Sequence, residues 1–514
     1  GLTTLTGQIG VAANPLADVK LEDNRNLLIQ NDKGLYAKTV SSNTNGNSLL
    51  SLQGKDFQIN SDIGTAGNTV NVALIGDTAN KAAKFTLAES KVIVGNVDLA
   101  RGAVLDNVLV LSDKTKIVGN VAGNTNKGGL SVMGDTTIEG QIGAAIGGVG
   151  GAIDKITFAT AGKTLETTKN NVLTANGLEF KADGAFKVTE DADFDLTDQE
   201  VVITTATAGG VGSIIANEAA ANKTVTLGVV GDHTVPNAVK TLKLLSVTGG
   251  ADIELSGNSS IEQVTIGAQE DAKLILIGAP GVGNNNTHLV KKFTHEDKKG
   301  VLEIGAAGAS SNITLKKGSV FSTKELKLKS INFAGDHTLT IEDGIHLYAE
   351  NGLTNAAAGE GTLIFEGESI VRGVVGKNTD FKRIEIKDKG LVGFDKEVKL
   401  TEDIILSDQA KVVFLGKVTA RDIAGAGVAG ANQGTVEFGN TEALTGNNAI
   451  STKIGAAHTL DTVVIAGKDI EFKSTVASVF NTKKLMFKSE GDVTATFTTL
   501  ALDALQATEI TTTS

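Results

Sequence analysis

The sequence predicts an all-β fold, an elongated right-handed parallel β-helix (β-solenoid) with Gly/Asn-rich loops. Three observations lead there. Short apolar/polar alternation dominates the chain. Short glycine-centred motifs recur at a spacing that fits one coil. The composition is aliphatic and glycine-rich, with almost no large aromatic side chains.

Alternation appears in VKLTEDIIL (398–406), DIEFKS (469–474), ELKLKSINF (325–333) and ITLKKG (313–318), each interrupted by Gly, Asn or Asp nearby. Period-two patterning puts one strand face on a core and the other in water. In ELKLKSINF it sends Leu326 and Leu328 one way and Glu325, Lys327 and Lys329 the other. Helical periodicity is scarce.

Repeats set the architecture. LTGQI (5–9) recurs as IVGNV (93–97), IVGNV (117–121) and IEGQI (138–142), and the last three place glycine at 95, 119 and 140. A short strand with Gly at its centre, returning about every 22 residues, fits one solenoid coil. A second set is GVLEIG (300–305), GTLIFEG (361–367) and GTVEFG (434–439). A third is KTLKLLS (240–246), KELKLKS (324–330) and KKLMFKS (483–489). Coils of ~22 residues stacked about 4.8 Å apart make about 23 layers, a rod on the order of 110 Å long. A tandem array of β-sandwiches of about 80 residues ranks second, because the 21- and 24-residue spacings are too short for a domain.

Composition agrees. The 514 residues include 61 Gly, 3 Pro, 2 Tyr, no Trp and no Cys. Aromatics make up 4% and hydrophobic residues 41%. The core is therefore expected to be thin and aliphatic. Few prolines suit a continuous ladder, since Pro removes a ladder hydrogen bond. Gly-rich stretches at 140–152, 206–212, 305–312 and 424–434 read as loops protruding from the coils. The whole chain, 1–514, reads as one elongated solenoid region.

A net charge of −12 argues against nucleic acid as a partner, which needs a basic surface. Absence of cysteine removes disulfides, thiolate metal sites and cysteine nucleophiles, and leans towards export. No N-terminal signal peptide is legible and no apolar run reaches the roughly 20 residues of a membrane helix. The expectation is a soluble, non-membrane-spanning chain, mature or a fragment of something larger.

Together these motifs resemble a known family. KIVGNVAGNTNKGGLSVMGDTTIEGQIGAAIGGVGGAIDKITF (116–158), GTLIFEGESIVRGVVGKNTDFKRIEI (361–386) and GTVEFGNTEALTGNNAISTKIGAAHTLDTVVIAG (434–467) have the cadence of rickettsial outer-membrane autotransporter passengers, of the outer membrane protein A and B type. The resemblance covers about two thirds of the chain. It implies an exported β-helix at the bacterial cell surface, outer-membrane associated, coating the cell as a surface layer and attaching to host cells. Its expected partners are further copies in a surface lattice and a host cell-surface protein. No residue-level site carries over, and the family's signal sequence and C-terminal barrel are not seen in this sequence.

Four features raise chemistry. KLILIGAPGVGNNNTH (273–288) begins like a phosphate loop, but Asn284 and Asn285 stand where Lys and Ser/Thr are needed, and no helix pattern follows. It reads as a wide Gly/Asn turn. In TEDADFDLTDQE (189–200), Asp191, Asp193 and Asp195 alternate with apolar residues, so a strand would align three carboxylates as a candidate Ca²⁺ site. No other cofactor is expected, and Leu196 and Val202 break the EF-hand pattern, so a solvated strand face is the competing reading. Of six histidines, His233, His337 and His458 precede Thr at a turn entering a strand, while His288, His295 and His346 share no metal-ligand spacing. A carbohydrate-active β-helix enzyme, or a tailspike-like glycan-binding protein, is the alternative to a non-catalytic surface protein. Sugar subsites commonly use aromatic platforms, which Tyr36 and Tyr348 alone do not supply.

Overall fold

The computed structural model describes the chain except residues 1, 45–47, 78, 80, 102–104, 144, 145, 147–150, 169–176, 190–193, 204–209, 219–222, 232–237, 247–250, 267–272, 278–284, 296–299, 306–311, 317–324, 388, 408, 428–432, 440–449, 468, 469, 474–478, 489–492, 494, 499–504, 513 and 514. The described residues form no helix, and their named strands pair in parallel as stacked coils. The fold is a β-solenoid. Two compact units are distinguished, Gly1–Ala272 and Lys273–Ser514.

In the first unit each coil between Val70 and Ile138 carries three strand segments. Val70–Gly76, Val97–Asp98 and Val121–Ala122 stack on the first face. Lys84–Leu87, Val108–Leu111 and Gly129–Val132 stack on the second, and Val92–Val94, Thr115–Val118 and Thr136–Ile138 on the third. The register brings Val72, Val97 and Val121 into one column, Phe85, Leu109 and Leu130 into another, and Ile93, Ile117 and Ile138 into a third. Every one of these side chains is buried. A parallel ladder repeats identical side-chain positions once per coil, so β-branched and leucine side chains stack directly and exclude water.

The recurring IVGNV glycines occupy a corner, not a strand centre. One strand ends at Val94 and the next begins at Val97, with Gly95 and Asn96 between them. A Cβ on Gly119 would collide with the Gly95 carbonyl, and one on Gly140 with the Gly119 carbonyl. Only hydrogen on Cα lets consecutive coils close up at this corner. The following residue locks it. The Asn71 side-chain oxygen accepts the Asn96 amide at 3.1 Å, Asn96 that of Asn120 at 2.9 Å, and Asn120 that of Gln141 at 2.9 Å. LTGQI belongs elsewhere. Leu5 pairs with Ile29, Ile9 bridges Leu35, and the Gly7 carbonyl accepts from Asn31 Nδ2 at a different corner.

The second unit keeps the coil length. Ile331, Leu353, Val375, Val398 and Val418 follow one another up one face at intervals of 20 to 23 residues. Leu339, Leu363, Ile384, Ile404 and Ile423 form a second column. The third runs from Leu347 through Val371, Phe394, Phe414 and Phe438. GTLIFEG and GTVEFG therefore lie on different faces. What they share is a left-handed entry glycine, Gly361 at φ 79° and Gly434 at φ 83°, followed by an inward-pointing strand.

Two expectations change in detail. The core is aliphatic for most of its length but includes phenylalanine stacks. The rings of Phe394 and Phe414 lie 5.5 Å apart, those of Phe414 and Phe438 5.8 Å apart, and Phe472 meets Phe438 edge-on at 5.1 Å. Slim rings repeating at nearly the strand spacing fill a narrow interior without the bulk of Trp. Secondly, ELKLKSINF is two strands, Glu325–Leu328 and Ser330–Phe333. Leu328 is inward, but a bend at Lys329 resets the alternation so that Ile331 and Phe333 are inward too.

The described ends of the Gly-rich stretches are part of the stack. Ile142 bridges Val121, a Cβ on Gly212 would strike the Phe180 ring, and Gly425 ends the strand Val418–Gly425. Their interiors, 147–150, 206–209, 306–311 and 428–432, lie outside the described residues.

Candidate functional site

Polar residues do two jobs in this structure: they hold coil to coil, and on one face they line an open groove. The first job accounts for His337, His346 and His458. His337 and His458 each precede a strand, Thr338–Ile341 and Leu460–Ile465, and each imidazole covers a left-handed glycine, Gly305 and Gly427 respectively. A Cβ on either glycine would enter the ring. Two of the three His-Thr motifs thus serve packing, and His233 lies outside the described residues. His346 Nδ1 accepts the Ile370 amide at 3.0 Å.

Residues 278–284 of the loop resembling a phosphate loop lie outside the described residues, but their flanks are strands, Lys273–Leu276 and Asn285–His295. A strand begins where nucleotide binding needs a helix N-terminus. Asn286 Nδ2 donates to the Ile277 carbonyl at 2.7 Å, tying the two strands together. His288 is fully buried, hydrogen-bonded to the Ile277 backbone, and stacked beneath Leu315. Burial pushes its pKa down to about 4, against the pull of that hydrogen bond.

Of the candidate calcium ligands, Asp191 and Asp193 lie outside the described residues. Asp195 lies in the strand Phe194–Ile203, where its backbone pairs with Thr226, and its side chain is likewise outside. Among the described residues no cluster of three or more His, Asp or Glu is placed to hold a metal ion.

Several carboxylates act as staples between coils. Asp422 is buried and accepts the Ala456 and Ala457 amides at 3.2 and 2.7 Å; burial raises its pKa. Glu437 is nearly buried between Lys411, at 2.7 Å, and Lys488. Burial alone would raise its pKa, but the two ammonium groups outweigh it and hold the carboxyl below its usual range. Glu179 is held low in the same way, by Lys155 and the Thr157 hydroxyl.

The groove lies on the third face of the first unit. It is open to solvent, has a volume of about 500 Å³, and crosses Thr115–Val118, Thr136–Ile138, Thr164–Thr167 and Ala185–Thr189. The parallel register places Lys116, Thr137, Glu166 and Lys187 in one outward column. Three strand steps separate the two lysines, roughly 14 Å. Thr137 is short between longer neighbours and forms the floor. Lys116 pairs with Glu139 at 2.5 Å on one side, and Lys187 with Glu166 at 3.1 Å on the other. Glu166 also accepts the Thr189 hydroxyl at 2.8 Å. At the rim, Asp135 accepts the Thr164 amide at 3.0 Å and approaches Lys163 at 3.6 Å. Lys114, in a left-handed corner at φ 57°, is 70% exposed and meets Glu89 only at 3.9 Å.

Sequence reasoning missed this groove. Its residues are scattered over 114–187, in no motif that points to binding, and only stacking aligns them. Comparison with protein-family models, curated proteins and solved structures finds no match to this chain.

Proposed function

We propose that the chain is a bacterial cell-surface structural protein: an autotransporter passenger that coats the cell as a surface layer and attaches to host cells without catalysis. The observation that carries this reading is the use of the repeated motifs. The glycine corner, the asparagine ladder and the His-over-Gly contacts each join one coil to the next, so the sequence's most regular features are spent on building a stack. A stack of this kind displays loops and faces, which is what a coat or an adhesin needs. The sequence resemblance to rickettsial passengers and the solenoid fold point the same way. The expected location is the outside of the outer membrane, and the expected partners are neighbouring copies and a host surface protein.

Negative-stain electron microscopy of the purified chain across ionic conditions tests the proposal, together with binding to intact host cells. Ordered arrays or saturable cell binding support it. A protein that stays monomeric under all conditions and binds no cell overturns it. The carbohydrate-active alternative predicts release of reducing ends from glycans, which the surface reading does not.

A further inference from the structure

We propose that the groove over Thr137 is a binding site for a carboxylated polysaccharide, a polyuronate chain lying across the stacked coils. The site stands apart from the surface-layer reading and is tested separately from it.

Shape is the first argument. The groove is open and runs over four successive strands of one face, so it admits a polymer rather than enclosing a small molecule. Its two column lysines stand roughly 14 Å apart, a distance that one sugar ring does not bridge.

Charge is the second. The chain carries −12 overall, yet the groups facing the groove are three ammonium ions, Lys114, Lys116 and Lys187, against two carboxylates, Asp135 and Glu166. Both carboxylates are already engaged: Asp135 holds the Thr164 amide, and Glu166 holds Lys187 and Thr189. The carboxylate partners of Lys116 and Lys114, Glu139 and Glu89, stand outside the lining. An ammonium ion has three N–H donors, so each lysine retains donors for a ligand carboxylate after making its ion pair. The Thr137 hydroxyl on the floor can both donate and accept, which suits a sugar hydroxyl, whereas those of Thr115 and Thr136 are buried and bonded to each other.

The third argument concerns what is missing from the lining. Among the described residues it contains no aromatic ring, so stacking on a sugar face contributes nothing there and a neutral glycan has little to hold it. Binding must come from charge-assisted hydrogen bonds repeated along the polymer. Such contacts at an exposed site are screened by salt.

The experiment is biolayer interferometry of the whole chain against immobilised alginate, neutral dextran and dextran sulfate. It is run at low ionic strength and at about 0.5 M NaCl, where the Debye length is about 4 Å. The expected result is alginate binding that salt abolishes, no binding to dextran, and weaker binding to dextran sulfate. The double variant Lys116→Gln/Lys187→Gln should bind alginate at least about tenfold more weakly, having lost two charge-assisted contacts. Lys33→Gln/Lys389→Gln removes the same charge from exposed lysines elsewhere and should bind as wild type. Thr137→Glu adds a carboxylate to the floor, next to Lys116 and Glu166 in the same column, and should also weaken binding. Melting curves that overlay wild type establish that each variant is folded. No alginate binding at low salt, equal loss in both double variants, or dextran bound as well as alginate overturns the site. Dextran sulfate bound as tightly as alginate overturns the assignment to carboxylates. Alginate binding without arrays or cell attachment leaves the site standing and overturns only the surface reading.

Discussion

His288 should make the second unit sensitive to mild acid. Its ring is fully buried beneath Leu315, and its pKa is pushed down to about 4 from the 6.5 of a free histidine. Below pH 6.5 the unfolded chain binds a proton that the folded chain refuses. Unfolded protein therefore gains free energy as pH falls, and folded stability declines. The loss begins near pH 6.5 and is complete near pH 4, about 2.5 pH units later. At about 1.36 kcal/mol per unit it amounts to about 3.4 kcal/mol, a large share of a typical domain's stability. Asp98 and Asp422, whose carboxyls are raised chiefly by burial, act in the opposite sense. A variant comparison is needed to isolate the histidine. His288→Leu removes the titrating group and leaves Asn286 donating to the Ile277 carbonyl. The assay is urea unfolding of wild type and variant at pH 7.5, 6, 5 and 4.5. Wild type should lose stability relative to the variant steadily across the series, by about 2 kcal/mol at pH 5. Parallel decline of the two proteins would refute the reasoning, because it would mean that the ring is protonated without cost in the folded state.

Leu328→Asp puts a carboxylate among the aliphatic columns and should cost several kcal/mol in chemical denaturation. Lys329→Asp, at the partly exposed bend, should cost less than about 1 kcal/mol, and equal costs would mean that the strand phase is wrong. Gly119→Ala should destabilise the first unit by about 3 kcal/mol or more, because the new methyl meets the Gly95 carbonyl. Gly393→Ala, where a Cβ meets nothing, is the matched control, and a similar melting temperature for the two variants would count against the corner argument. Asn107 is buried, with Nδ2 donating to the Leu74 and Leu99 carbonyls and Oδ1 accepting the Ala83 amide. Asn107→Leu leaves those three groups without it and should lower stability by about 3 kcal/mol or more; unchanged hydrogen exchange at Ala83 would show that water replaces it.

Much of this fold is legible in the amino-acid sequence. Alternation in segments such as ITLKKG and DIEFKS specifies strands, because period two is a property of the backbone alone. The 24- and 21-residue intervals between Gly95, Gly119 and Gly140 specify one coil, since those residues do sit above one another. Other features needed the fold. Whether the IVGNV glycine bends the chain or lies within a strand depends on a carbonyl one coil away. GTLIFEG and GTVEFG look equivalent in sequence, yet occupy different faces because the 73 residues from Gly361 to Gly434 are not a whole number of coils. The inward turn of Ile331 after Leu328 depends on the bend at Lys329. The groove is the furthest from the sequence. Lys116, Thr137, Glu166 and Lys187 are 21 to 29 residues apart in succession and become neighbours only through parallel register. Local patterning decides which residues make strands and, within an unbent strand, which point inward. Which outward side chains meet is decided by stacking, because it depends on the length of every connection between them.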